Sequence, residues 1–156
     1  MTTASPAFRP RTYTYSTGLT WQEGRAGMLE PEGKPPSRVA SPPEFKVEPG
    51  TWTPEDLFVA AVESCTMTTF LALSTRGGLP LLRYESSAEG KLEWVDGGFR
   101  FTVVTVRPRV TVSAPDAVQA ARDLLEDAHR RCLIGKSIQA TVELEPEVRV
   151  GEPSPS

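Results

Sequence analysis

A chain of 156 residues with 38% hydrophobic and 24% charged side chains has the size and composition of one domain with its own core, and no repeat or composition break divides residues 1–156. Its formal net charge of −3 argues against nucleic acid as a partner, and the opening MTTASPAFRP lacks the basic-then-apolar pattern of a secretory signal. The expected setting is the cytoplasm, where a reducing pool makes its two cysteines reactive or buried thiols rather than a fixed staple.

In chain order, the Tyr/Thr alternation of residues 11–18 (RTYTYSTG) predicts a strand, which residues 19–21 extend or answer as a hairpin partner. Residues 21–50 are dense in Gly and Pro. Short strands are predicted at 26–30 and 45–47, and the pairs Pro35-Pro36 and Pro42-Pro43 exclude regular structure there. A long loop inside a compact domain is functional or disordered, and this one delivers Arg25 and Arg38.

Residues 53–78 then read as one long helix. Thr53 suits the N-cap, Pro54 the first helical position, and Glu55 and Asp56 the first turn, where unpaired N–H groups favour negative charge. Arg76 and Gly77-Gly78 supply the stop. In between, only Glu63 and scattered Ser and Thr interrupt an apolar surface. A helix apolar nearly all round is a buried one, so it is expected to be sheathed by sheet or by a partner chain. Its Thr and Ser content argues against a membrane span.

A strand is predicted at 83–92, a hairpin turn at Asp96-Gly97-Gly98 and a β-branched strand at 99–112. A second helix opens at Ala114-Pro115-Asp116 and runs to about Arg131, apolar on one face and charged on the other. Cys132 follows, then a short turn at 133–137, a last strand at 140–144, and a proline-containing tail expected to fray. Flexible ends are placed at about 1–10 and 149–156. The class is α+β.

Cys65 and Cys132 stand 67 positions apart (132 − 65), so they form no C-x-x-C redox loop. Each is either a small buried hydrophobe or one of a pair in which one thiolate attacks and the other resolves. Cys65 lies about three turns into its helix, where the helix dipole does little for a thiol. A reactive Cys65 therefore calls for a cation, and Arg25 (in EGRAG), Arg38 and Arg76 are the candidates. His129, three residues before Cys132, raises a Cys-His hydrolase reading, but a lone histidine on a charged helix face is more simply exposed. Two cysteines and one histidine make a poor zinc site. Trp52, Phe58, Met67 and Phe70 are candidates for core packing and for an apolar pocket.

The segment TPEDLFVAAVESC resembles the (N/T)-P-E-(E/Q)-L-(F/L)-x-A-A-x-x-x-C motif of the OsmC/Ohr family, the osmotically inducible and organic hydroperoxide resistance proteins. DAHRRCLIGKSI resembles the family's A-x-x-x-C-P-(V/I)-S-(K/R)-(A/L), and EGRAGML its G-R-x-G-x-V loop; all three stand in the right order across residues 13–148. The resemblance implies an OsmC-like fold, in which an antiparallel sheet wraps a long buried central helix, and a cysteine-based peroxidase. Cys65 would attack the O–O bond and become a sulfenic acid, and Cys132 would condense with it to a disulfide. Arg25 would hold the thiolate and polarise the peroxide, Glu55 would orient Arg25, and a small or protein dithiol would reset the pair without metal or organic cofactor. Where the motif has proline and serine after the second cysteine, this chain has Leu133 and Gly135, while Lys136 keeps its place. That departure leaves open a second reading, a stress-associated binding protein in which Cys132 is idle.

Ten residues of helix separate Glu55 from Cys65 by about 15 Å and roughly 80° around the axis. Both reach one small site only if Arg25 bridges the gap, if the helix ends before Glu55, or if Glu55 comes from a second subunit. The apolar helix favours the last, so an intertwined homodimer with two composite sites is expected. Neither membrane nor nucleic acid is an expected partner.

Overall fold

The structure, a computed structural model, describes residues 11–45 and 49–153. The chain divides into two compact units, Met1–Pro54 and Glu55–Ser156.

The first unit is a three-stranded antiparallel sheet of β1 (Leu19–Glu23), β2 (Ala26–Leu29) and β3 (Ser37–Ala40), in that order. Gly24, at φ 49°, turns β1 into β2, and a Cβ on Gly27 would lie 2.8 Å from the Thr20 carbonyl oxygen. Residues 11–18 form no strand; Tyr15 is 90% exposed, and among the described residues only Gly18 of this run makes a ladder-like bond, accepting from Glu30 N at 2.9 Å. The proline pairs flank β3 rather than abolish it: four residues between Pro36 and Pro42 suffice to pair with β2. Of the strand expected at 45–47, Phe45 ends a 3-10 turn (Pro43–Phe45), and the other two residues lie outside the described ones.

The second unit opens with α1 (Pro54–Gly77), followed by the hairpin of β4 (Leu81–Val95) and β5 (Gly98–Val112). Asp96 and Gly97 both have positive φ, 49° and 84°, the primed turn that matches strand twist. A 3-10 turn (Pro115–Ala117) leads into α2 (Val118–Arg131), then α3 (Leu133–Ser137), β6 (Thr141–Leu144) and β7 (Glu147–Val150). The class is α+β, as expected, but the sheet is mixed rather than wholly antiparallel: β6 and β7 both join β5 in parallel, at residues 103–106 and 109–112. The tail expected to fray is thus partly a strand, held because Val148 and Leu144 pack on the core beneath β5.

This arrangement also explains a proline inside a central strand. Val106 O accepts from Glu145 N at 2.9 Å, so alternate residues of β5, Pro108 among them, turn their backbone to the edge that carries β6 and β7. Pro108 falls in the gap between the two, where no ladder donor is required.

α1 runs antiparallel to β4: Val59 meets Gly90, Glu63 accepts a hydrogen bond from Ser86 Oγ at 2.5 Å, and the Phe70 ring lies 5.6 Å from that of Tyr84. Phe58 stacks on Phe101 at 4.5 Å. Two cores result, one around Phe70, Val110, Val112 and Leu125, the other around Val62, Val104 and Val106. The expectation of a fully buried helix is met along one stripe only, Val62, Thr66, Phe70 and Ser74, at four-residue spacing. By length and composition α1 would also pass as a membrane span. The rest of its apolar surface is incompletely covered by the described residues of the second unit.

Candidate functional site

Cys65 leaves α1 one residue before the buried Thr66, on the side that faces the end of α2. Cys132 is where α2 stops and α3 starts, with φ −58° and ψ 113° breaking the helical path. It is 1% exposed. Its sulfur accepts a hydrogen bond from Gly135 N at 3.3 Å, and its carbonyl accepts one from Lys136 N at 3.1 Å. Both cysteines are free, and each is near enough to shift the acidity of the other. Two positions 67 residues apart in sequence thus share one site, because α2 returns the chain to the flank of α1.

The environment drives the two thiols in opposite directions. Burial would raise the Cys65 pKa, but hydrogen bonds from the backbone of Ile134, the thiol of Cys132, the backbone of Leu133 and the hydroxyl of Thr69 outweigh it and hold the thiol below its ordinary value. Burial raises Cys132, and beyond the opposing Gly135 N–H the neighbouring Cys65 raises it further. The pair therefore favours one thiolate, on Cys65, with the proton kept on Cys132. A thiolate beside a protonated thiol is equipped for nucleophilic attack followed by disulfide closure.

Other residues singled out by sequence are distributed as follows. Arg25 follows the β1–β2 turn in the first unit, where it is the charged member of the lining of a cavity of about 420 Å3 formed by Leu19, Trp21, Val39 and Ala40 with Pro54. Arg38 is in β3, bonded to Gln22 at 2.5 Å and paired with Glu23 at 3.4 Å. Glu55 is in the first turn of α1, and its Oε2 is buried without a hydrogen-bond partner among the described residues. Because α1 is unbroken from Pro54 to Gly77, the possibility that the helix ends before Glu55 is removed. His129 is half-buried, and its Nδ1 has no hydrogen-bond partner among the described residues. Phe70 is wholly core and Phe58 is engaged with Phe101, so these two pack rather than line a cavity. Among the described residues no cluster of His, Cys, Asp and Glu is able to hold a metal ion.

Sequence reasoning missed the role of Gly135, whose backbone N–H donates to the Cys132 sulfur at 3.3 Å. The search for a cation overlooked neutral donors; the available signal was a cysteine standing immediately before a helix start.

The family model described as OsmC-like protein matches residues 47–147. An uncharacterized protein of Bacillus subtilis, YmaD, is 30% identical over 106 residues, 65% of this chain and 71% of that protein. Among solved structures, an OsmC-like protein of unknown function from Vibrio cholerae superposes with a TM-score of 0.79 at 25% identity, over 86% of this chain and 99% of that one. An organic hydroperoxide resistance protein of Legionella pneumophila (TM-score 0.67, 23% identity, 90% and 100% covered) shares the fold. So does one from Elizabethkingia anophelis (0.70, 20%, 90% and 100%).

Proposed function

The chain belongs to the OsmC-like protein family, and we propose that it works as a thiol-dependent peroxidase reducing organic hydroperoxides. The observation that carries this is the pair of free thiols, Cys65 and Cys132, near each other with their acidities displaced in opposite directions. The likeness in fold to proteins named for organic hydroperoxide resistance supports it.

In this cycle the Cys65 thiolate attacks one peroxide oxygen. An S–O bond forms as the O–O bond breaks, the departing alkoxide takes a proton and leaves as alcohol, and sulfur is oxidised to a sulfenic acid. The Cys132 sulfur then attacks Cys65, an S–S bond forms, and the hydroxyl leaves as water with the proton that Cys132 gives up. Exchange with an external small or protein dithiol returns both thiols. No metal or organic cofactor enters.

Arg25 is proposed as the cation that polarises the peroxide, with Glu55 orienting it; the unpartnered Glu55 Oε2 is the state expected of a carboxylate suited to a guanidinium. A cytoplasmic homodimer is proposed on the incompletely covered apolar surface of α1. The test is thiol titration before and after one equivalent of an organic hydroperoxide. Loss of both thiols supports the two-cysteine cycle, loss of one reduces it to a one-cysteine reaction, and loss of neither sinks the peroxidase in favour of a stress-associated binding protein.

A further inference from the structure

We propose that Arg38 is a positioning residue for Arg25, its guanidinium spanning a β-bulge at Gln22 and Glu23 and so fixing the turn that presents Arg25. The bulge is visible in the register. Trp21 pairs with Gly27 and Glu23 with Ala26, so Gln22 is an extra residue with no opposite on β2. A bulge loosens its own ladder, and this one stands two residues before the turn residue Gly24, at φ 49°. Other bonds must replace the lost ladder contacts if Arg25 is to keep one direction. Arg38 supplies them with both ends of its fork: Nη1 donates to Gln22 Oε1 at 2.5 Å and Nη2 to Glu23 Oε1 at 3.4 Å. The planar guanidinium couples the two contacts, which the single ammonium of a lysine would not.

Two further bonds act on the same turn. The Trp21 indole N–H donates to the Gly24 carbonyl at 3.1 Å, and Ser41 N donates to the Arg25 carbonyl at 3.2 Å. By register Arg38 shares a sheet face with Met28 and Thr20, whereas Leu19, Trp21 and Val39 of the cavity wall alternate to the other. The turn is thus held from both faces, by Trp21 on the side of the cavity that Arg25 lines and by Arg38 behind it. The Arg38 side chain is 30% exposed, so its bonds are partly shielded from water. Arg38 is thereby a brace and not a second cation for the peroxide.

The catalytic consequence rests on the peroxidase reading, and the test separates the two. Backbone order parameters of Gly24 and Arg25, from nitrogen relaxation, are expected at about 0.8 or above in wild type and below about 0.6 in Arg38→Ala. Gln22→Ala, which removes one acceptor at an exposed position, is expected to give a smaller fall and decides the matter should Arg38→Ala fail to fold. Order equal to wild type in the variants that fold overturns the inference. In hydroperoxide consumption, Arg38→Ala is expected to lower kcat/KM about tenfold through misplacement of Arg25. The double variant Arg25→Ala with Arg38→Ala should be no slower than Arg25→Ala alone, since a brace then has nothing left to position. Losses that multiply make Arg38 a cation acting on its own and overturn the inference. A protein that consumes no hydroperoxide but whose turn loosens in Arg38→Ala refutes the peroxidase and leaves the brace standing; turnover with the turn unloosened refutes the brace alone.

Discussion

Gly90→Ala tests how α1 is seated on the sheet. A Cβ at this β4 position would lie 2.6 Å from Val59 Cγ2, 2.8 Å from Phe101 Cε1 and 3.0 Å from Phe101 Cδ1. Comfortable carbon contacts lie near about 3.5–4.0 Å, so the helix must lift by roughly 1 Å or the Phe101 ring must swing away from Phe58. Val59 is β-branched and stiff, and Phe101 is held in a stack at 4.5 Å, so neither yields cheaply. Overpacking of this kind costs about 1–3 kcal/mol, against which replacing a strand glycine returns about 0.5–1 kcal/mol. The net loss is about 1–2 kcal/mol, a fall in Tm of roughly 2–8 °C for a chain of this size. Urea unfolding followed by circular dichroism at fixed protein concentration measures it. Val59→Ala in the same chain should recover part of the loss, as positive coupling in a double-mutant cycle. A Gly90→Ala protein as stable as wild type would refute the close seating of α1 on β4.

Further outcomes follow from the site. Because Cys65 is held below the ordinary thiol value and Cys132 above it, alkylation with rising pH should modify Cys65 first and Cys132 only at higher pH; the reverse order, read by peptide mass, contradicts the assignment of roles. Cys65→Ser should abolish peroxide consumption, whereas Cys132→Ser should permit one equivalent and then stall as sulfenic or sulfinic acid, detectable by intact mass. Arg25→Ala should slow peroxide turnover by about 10²-fold or more; full activity there with loss in Arg38→Ala would move the cation to β3. Sedimentation at micromolar concentration should show a dimer, and a monomer would leave the α1 surface unexplained.

The long elements were legible because their signals are local. Thr53 to Gly78 carries its own start and stop, and the 99–112 run is β-branched from Thr102 on apart from the Arg-Pro-Arg break, so α1, β4 and β5 were placed within a few residues. Short strands were not. β3 and β7 are four residues each beside prolines, and only pairing with β2 and β5 makes them strands. Residues 11–18 show the converse, a strand pattern with no partner strand among the described residues. At the site, the resemblance singled out Cys65 and Cys132, and the fold brings them together. What side-chain motifs could not reveal is that the Cys132 sulfur accepts the main-chain N–H of Gly135, since every residue type but proline carries the same N–H.

The nearness of the two thiols also sets an order of events. Part of what keeps the proton on Cys132 is the charge of its neighbour, not only burial. In the proposed cycle that charge vanishes once Cys65 carries an oxygen, while the Gly135 N–H still favours a thiolate on Cys132. The second thiol is thus restrained while the first awaits peroxide, and is released by the oxidation it must answer. Timing of this kind requires no moving part.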